Sequence, residues 1–268
     1  MQIIKNPYQE LVISDHFPDY QPIDLLAFYA VTGSVPKYME LLADKGALSL
    51  DSIRDEIFRP DSFWLTEGRN LLIEEFGKDY STYFSILSLI ASGKTSRSEI
   101  ESFLEKSVGG YLERLINDYQ VIKVVKPMFS KPKGKNIKYE ITDNFLSFWF
   151  RFVFKYESAI EIENFEYLRS IFDRDFKTYS GKVLAKWFVE QWKQSGQFTQ
   201  IGNYWDRRGN EIDLVGMDER EKTIRFAEVK LNKKNYKPEK LKEKARPLLE
   251  KIPDYRAEYQ VLGLEEIS

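Results

Sequence analysis

Four charged side chains in one predicted hairpin could do chemistry together: Glu211, Asp213, Glu228 and Lys230. A turn centred between residues 220 and 221 pairs residues whose numbers sum to 441, so Asp213 faces Glu228 and Glu211 faces Lys230. Because side chains alternate along a strand, all four project from one face. Two carboxylates at cross-strand distance can share Mg²⁺, and a nearby lysine can orient water or stabilise phosphate charge. The alternative interpretation is a solvated, charged hairpin face.

The composition removes most other chemistries. The chain has 268 residues, no cysteine and a single histidine, His16. This excludes disulfides, thiolate zinc sites, cysteine nucleophiles and Ser-His-Asp triads. We expect His16 to be an ordinary surface or packing residue. Carboxylates, lysines, hydroxyls and a hard metal such as Mg²⁺ therefore remain as the chemical groups.

Apolar spacing and breaker residues predict a multidomain protein of mixed α and α/β class. Residues 1–78 read as a small helical unit. Residues 79–142 read as three helices followed by a β-hairpin, the order of a winged helix, with strands at residues 121–129 and 136–141 separated by SKPKGK. Residues 143–180 are rich in aromatics and read as a helical connector packed between domains, with a cofactor or base-stacking box as the alternative. Residues 181–268 predict a helix, a strand, the hairpin, a helix and a final strand.

The hairpin of residues 79–142 carries a basic patch on a chain whose formal net charge is only −2. Its lysines, with no acidic residue between Tyr119 and Tyr139, are Lys123, Lys126, Lys131, Lys133, Lys135 and Lys138. This pattern predicts weak, salt-sensitive, shape-based DNA binding, and the alternative is a lysine surface that favours solubility. The presumed recognition helix offers only Arg114 and Asn117 as base readers, which disfavours sequence-specific binding. The lysines of the last predicted helix, diluted by Glu239 and Glu243, read as a solvated face.

An Asp followed by Glu-X-Lys on the next strand, here Asp213 and Glu228-Val229-Lys230, resembles the PD-(D/E)XK nuclease motif. The whole chain is similar to the C-terminal two-thirds of a family of archaeal-type AAA/STAND ATPases. The segments that carry the resemblance are residues 29–38 (YAVTGSVPKY), 201–206 (IGNYWD), 211–213 (EID) and 227–230 (AEVK). The resemblance implies a helical lid remnant, a winged helix-turn-helix and a PD-(D/E)XK nuclease-like domain. It also implies ATP binding in a longer parent chain, with DNA, a protein or the ATPase domain as partner.

Two departures from the family pattern limit these expectations. No strand–GxxxxGK[ST]–helix occurs, since Ser88 stands where the first glycine before Gly93-Lys94-Thr95 belongs, so we expect no ATPase activity from this chain. The family's helical glutamate falls on Ala185. The resemblance therefore leaves two hypotheses open. In the first, Asp213 and Glu228 bind Mg²⁺, Lys230 assists the attacking water and Glu211 supports them. In the second, the domain is a non-catalytic docking module.

The chain shows no signal that predicts a membrane partner. The start, MQIIKNPYQE, is neither a secretory signal nor a transit peptide. The most apolar run, residues 145–154, is too short to span a bilayer and contains Arg151. We expect a cytoplasmic protein.

Overall fold

A computed structural model describes residues 20–131, 134, 136–206 and 209–267. His16, Lys133 and Lys135 lie outside the described residues. The chain has mixed α/β structure and divides into two compact units. The first contains the chain up to Val125 and Ile137–Lys177, and the second contains Lys126–Asn136 and the chain from Thr178 onward. Within the described residues, no helix combines the length and apolarity needed to cross a membrane.

The first unit is mostly helical. Its helices are α1 (Pro22–Thr32), α2 (Pro36–Asp44), α3 (Leu50–Ile57), α4 (Phe63–Phe76), α5 (Tyr80–Ala91), α6 (Arg97–Leu104), α7 (Gly109–Asn117), α8 (Asn144–Phe152), α9 (Glu157–Glu161) and the first part of α10 (Phe165–Ser195). The predicted break between the first two helices is confirmed: Gly33 ends α1 with a φ of 56°, and Pro36 begins α2.

Aromatic side chains fill the core of the first unit. Asp143 caps α8 by accepting a hydrogen bond from the Leu146 amide at 2.8 Å. Most of the aromatic residues of α8 are buried, so this helix is an integral part of the first unit's core. Trp149 reaches α4, where a Cβ at Gly68 would overlap its ring. The close approach of these two helices therefore requires glycine at position 68.

A short antiparallel hairpin follows α5, α6 and α7, so the predicted order of three helices and two strands is present. Its strands are β1 (Ile122–Val125) and β2 (Lys138–Ile141), with Ile122 opposite Ile141. The prediction that the first strand runs to Phe129 is wrong, because the chain leaves the hairpin after Val125 and Pro127 has no amide hydrogen for a ladder. Residues 126–136 belong to the second unit instead.

The second unit contains a four-stranded sheet. One helix precedes the first strand of this sheet in the chain, and another lies between the last two strands. In chain order it contains the last part of α10, then β3 (Gln200–Trp205), β4 (Glu211–Asp218), β5 (Thr223–Lys230), α11 (Pro238–Leu249) and β6 (Arg256–Gly263). The spatial order is β3-β4-β5-β6, with the first three strands antiparallel and β6 parallel to β5. α11 is the crossover that a parallel pair requires.

The core of the second unit lies between the sheet and α11. Val215, Ile224 and Phe226 of the sheet pack with Leu241 and Ala245 of α11, all of them buried. Met128 and Phe129 pack against the same cluster, and the Met128 amide donates to the Asn203 carbonyl oxygen of β3 at 2.8 Å. These contacts explain why residues 126–136 belong with this sheet.

Candidate active site

The predicted register of the hairpin is confirmed. The ladder joins Leu214 to Ala227 and continues to Asp218 and Thr223, so paired numbers sum to 441. The regular pairing of β4 with β5 ends at Leu214 and Ala227, and the four predicted site residues lie just beyond it. The candidate site is therefore at the end of the hairpin farthest from its turn.

Asp213 is fixed between its two neighbouring strands. Its side-chain Oδ2 accepts a hydrogen bond from the Val229 amide of β5 at 2.8 Å. Its backbone carbonyl accepts one from the Asn203 side chain of β3. Burial raises the pKa of Asp213, partly offset by the Val229 hydrogen bond and the charge of Lys230, and the charges of Glu228 and Glu211 add to the rise. A partly desolvated carboxylate with one oxygen anchored leaves Oδ1 to bind a ligand.

Glu228 is buried, with 6% of its surface exposed, and two lysines neutralise its charge. The Lys244 ammonium lies 2.7 Å from Oε1, and the Lys230 ammonium lies 3.2 Å from Oε2. Burial alone raises the pKa of this carboxyl group, but the two ammonium groups outweigh it and the pKa is lowered. Glu228 is therefore ionised at neutral pH and held in one position.

Glu211 is the outermost of the predicted residues. It begins β4, is exposed, and pairs with Trp205 of β3 in the ladder. It contributes a negative charge near Asp213. Lys230 forms its ion pair with Glu228, two residues earlier on its own strand, and not with Glu211, which the predicted register places opposite Lys230.

Sequence reasoning missed two residues of the site, Asn203 and Lys244. Asn203 sits at a register shift between Gly202 and Tyr204, which turns its side chain toward the Asp213 backbone. The prediction that Lys244 lies on a solvated face is wrong, because Lys244 reaches Glu228 and lies three residues after the buried Leu241. That spacing places Lys244 beside the apolar stripe of α11, and this was the signal available in the sequence.

Two carboxylates of the site can bind a divalent metal. Asp213 Oδ1 accepts no hydrogen bond from the described residues, and Glu228 keeps one lone pair on each oxygen in addition to those that face the lysines. Among the described residues no group of three or more His, Asp or Glu side chains is placed to hold a metal. Mg²⁺ retains several waters and needs only one or two protein carboxylates, so this donor set fits it.

The helical position expected to supply another acid does not do so. Ala185 lies in α10, and the nearby Glu190 forms an ion pair with Lys193 at 2.9 Å. Asp213 and Glu228 are therefore the acidic residues that the strands themselves bring together.

The predicted basic hairpin is divided between the two units. Lys123 and Lys138 lie in the first unit, whereas Lys126 and Lys131 lie in the second. Lys123 also lies 3.5 Å from Glu140, its ladder partner on β2, so an acidic residue just outside the lysine-rich segment offsets part of its charge.

Together the fold and the site define a mixed α/β protein with a carboxylate and lysine cluster on a four-stranded sheet. Residues 149–244 match the model of the DUF234 family, described as archaeal and bacterial proteins of unknown function. The matched segment includes Asp213, Glu228, Lys230 and Lys244.

The chain is also similar to an uncharacterised protein of Methanocaldococcus jannaschii, MJECL04. The two are 32% identical over 269 residues, which cover 94% of this chain. The chain spans 58% of the length of that relative. No solved structure matches the chain significantly.

Proposed function

We propose that the second unit is a PD-(D/E)XK nuclease-like domain that hydrolyses phosphodiester bonds with a divalent metal. The observation that carries the proposal is the placement of Asp213 and Glu228-Val229-Lys230 on adjacent strands where their ladder ends. The order of elements supports it, because the motif lies on the hairpin of the helix, strand, hairpin, helix and strand predicted for residues 181–268.

The roles of the residues follow from their surroundings. Asp213 and Glu228 would hold Mg²⁺, since they are adjacent carboxylates of which one has an open oxygen. Lys230 is about one-third exposed, so its ammonium can orient a water molecule or contact a phosphate oxygen. Glu211 adds negative charge that favours a cation. The bound metal would polarise the phosphate and lower the pKa of a coordinated water.

We also propose that α5, α6, α7 and the β1–β2 hairpin act as a winged helix that contacts DNA. Lys123 on the exposed side of β1 supports phosphate contact, and its pairing with Glu140 favours weak binding. In a longer parent chain, ATP would bind to another domain. The relative from M. jannaschii, of which this chain spans 58%, has length for such a domain.

The test is cleavage of plasmid and branched DNA with Mn²⁺ or Mg²⁺ by the wild-type chain, Asp213→Asn and Lys230→Met. Lys240→Met serves as the matched control, because Lys240 is an exposed lysine of α11. We expect metal-dependent cleavage by wild type and Lys240→Met only. Cleavage that persists in Asp213→Asn and Lys230→Met would refute this site.

A specific observation favours a second candidate function, a non-catalytic docking domain. Both oxygens of Glu228 face lysines, and Ala185 supplies no acid. Folded wild-type protein that binds low-salt DNA without cutting it would favour this candidate. Absence of DNA binding as well would direct attention to a protein partner.

A further inference from the structure

Lys244 is distinguished from the other lysines of α11 by its partner. Lys242 pairs with Glu239 of the same helix, and Lys240 is exposed. Lys244 instead reaches across to the sheet and lies 2.7 Å from Glu228 Oε1. Its side chain is 31% exposed, so the ammonium group contacts both the buried carboxylate and solvent.

The ammonium of Lys244 occupies an oxygen that a metal would need. A divalent ion on Glu228 and the Lys244 ammonium at 2.7 Å from the same carboxylate would repel each other strongly. Lys230 already holds the other oxygen, Oε2, at 3.2 Å. Both lysines therefore oppose the approach of a metal to Glu228, and the movement of either one away from the carboxylate favours metal binding.

Lys244 is the lysine better placed to move. Both ammonium groups reach solvent, since the Lys230 and Lys244 side chains are 34% and 31% exposed, but Lys244 projects from α11 and not from the strand that carries Glu228. Lys230 is on the same strand as Glu228, two residues away, so the two side chains leave one face of β5 together. An ammonium released from Glu228 can bind a phosphate oxygen as a point charge.

We propose that Lys244 is an internal competitor for the metal at Glu228, and that it transfers to the substrate phosphate when a divalent ion binds. The proposal rests on the metal site proposed above. Without metal, Lys244 neutralises the buried carboxylate. With metal and substrate, it adds a second cation beside Lys230 on the phosphate. Metal and phosphodiester substrate are therefore expected to bind cooperatively.

The test measures Mn²⁺ binding to the full chain by calorimetry, independently of cleavage. Asp213→Asn defines the background. Lys244→Gln keeps a hydrogen-bond donor but removes the charge, and we expect it to bind Mn²⁺ about tenfold more tightly than wild type. Lys240→Gln, the matched control on α11, should bind as wild type does. Lys244→Arg should bind more weakly than wild type, since a guanidinium can donate two hydrogen bonds to Glu228.

The outcomes separate this inference from the proposed function. Binding by Lys244→Gln alone, or tighter than wild type, supports the competitor role. Equal binding by wild type and Lys244→Gln overturns that role and leaves the metal site standing. Absence of binding in both overturns the metal site and the inference together. If circular dichroism shows that Lys244→Gln is unfolded, Lys244→Arg decides: weaker binding supports the role, and unchanged or tighter binding overturns it.

Discussion

The ion pair of Glu228 with Lys244 makes a quantitative prediction that needs neither metal nor substrate. A double-mutant cycle would combine Glu228→Gln with Lys244→Met and compare the free energy of unfolding of both single variants and the double variant. The carboxylate side chain is 8% exposed and the ammonium side chain 31% exposed, at a distance of 2.7 Å. The pair is therefore intermediate between a buried and a surface ion pair.

The magnitude follows from that intermediate position. A hydrogen bond to a charged group contributes about 1.5–3 kcal/mol, whereas an exposed ion pair contributes about 0.2–1 kcal/mol. Because solvent screens the partly exposed Lys244, we expect a coupling energy of about 1–2 kcal/mol. The coupling should decrease as salt is added, since the ammonium group is not fully buried.

The assay is urea denaturation at pH 7, read at the transition that Glu228→Gln shifts. Lys242→Met is the matched control, because Lys242 is on the same helix but pairs with Glu239. Its coupling to Glu228 should be under about 0.3 kcal/mol. A Lys244 coupling as small as that of Lys242 would refute the arrangement of charges around Glu228.

Two further predictions concern the first unit. Gly68→Ala should destabilise the first unit by about 1–3 kcal/mol, because the new methyl group overlaps the buried Trp149 ring. Gly110→Ala should stabilise the same unit by up to about 1 kcal/mol, because the space around its Cβ is open. Equal melting shifts in the same direction would contradict this. A hydrogen bond from Arg174 lowers the pKa of the Asp175 carboxyl group. The ionised Asp175 therefore stabilises the fold fully at pH values above the unfolded-state pKa of about 3.9. This stabilisation is lost as the pH falls through the lower pKa of the folded state. Asp175→Asn should therefore flatten the acid limb of the stability curve, and an unchanged limb would show that the prediction is wrong.

Local pattern was sufficient to predict the strands that form the site. The polar turn of the hairpin sets a register in which the numbers of paired residues sum to 441. The alternation of side chains along each strand then places Asp213 and Glu228 together. The buried side chains of Val215, Ile224 and Phe226 enforce this register, because a shift of one residue would turn them to the other face.

Tertiary contacts decide what local pattern could not predict. Residues 126–129 are predicted as the end of the first hairpin strand, but Met128 and Phe129 pack on the second sheet. Lys244 lies 16 residues after Glu228, and their contact depends on the path of the crossover helix. Helical spacing can place Lys244 beside the apolar stripe of α11, but no periodic pattern identifies Glu228 as its partner or the second sheet as the partner of Met128 and Phe129.

The most direct test of the central claim is the rate of Mn²⁺-dependent cleavage by wild type and Lys230→Met at saturating DNA. Each variant's DNA affinity should be measured by fluorescence anisotropy under the same conditions. The proposed role of Lys230 predicts that the cleavage rate falls by about 100-fold or more while DNA affinity changes little. A Lys230→Met variant that cleaves at the wild-type rate would contradict the assignment of this cluster as a phosphodiester hydrolase site.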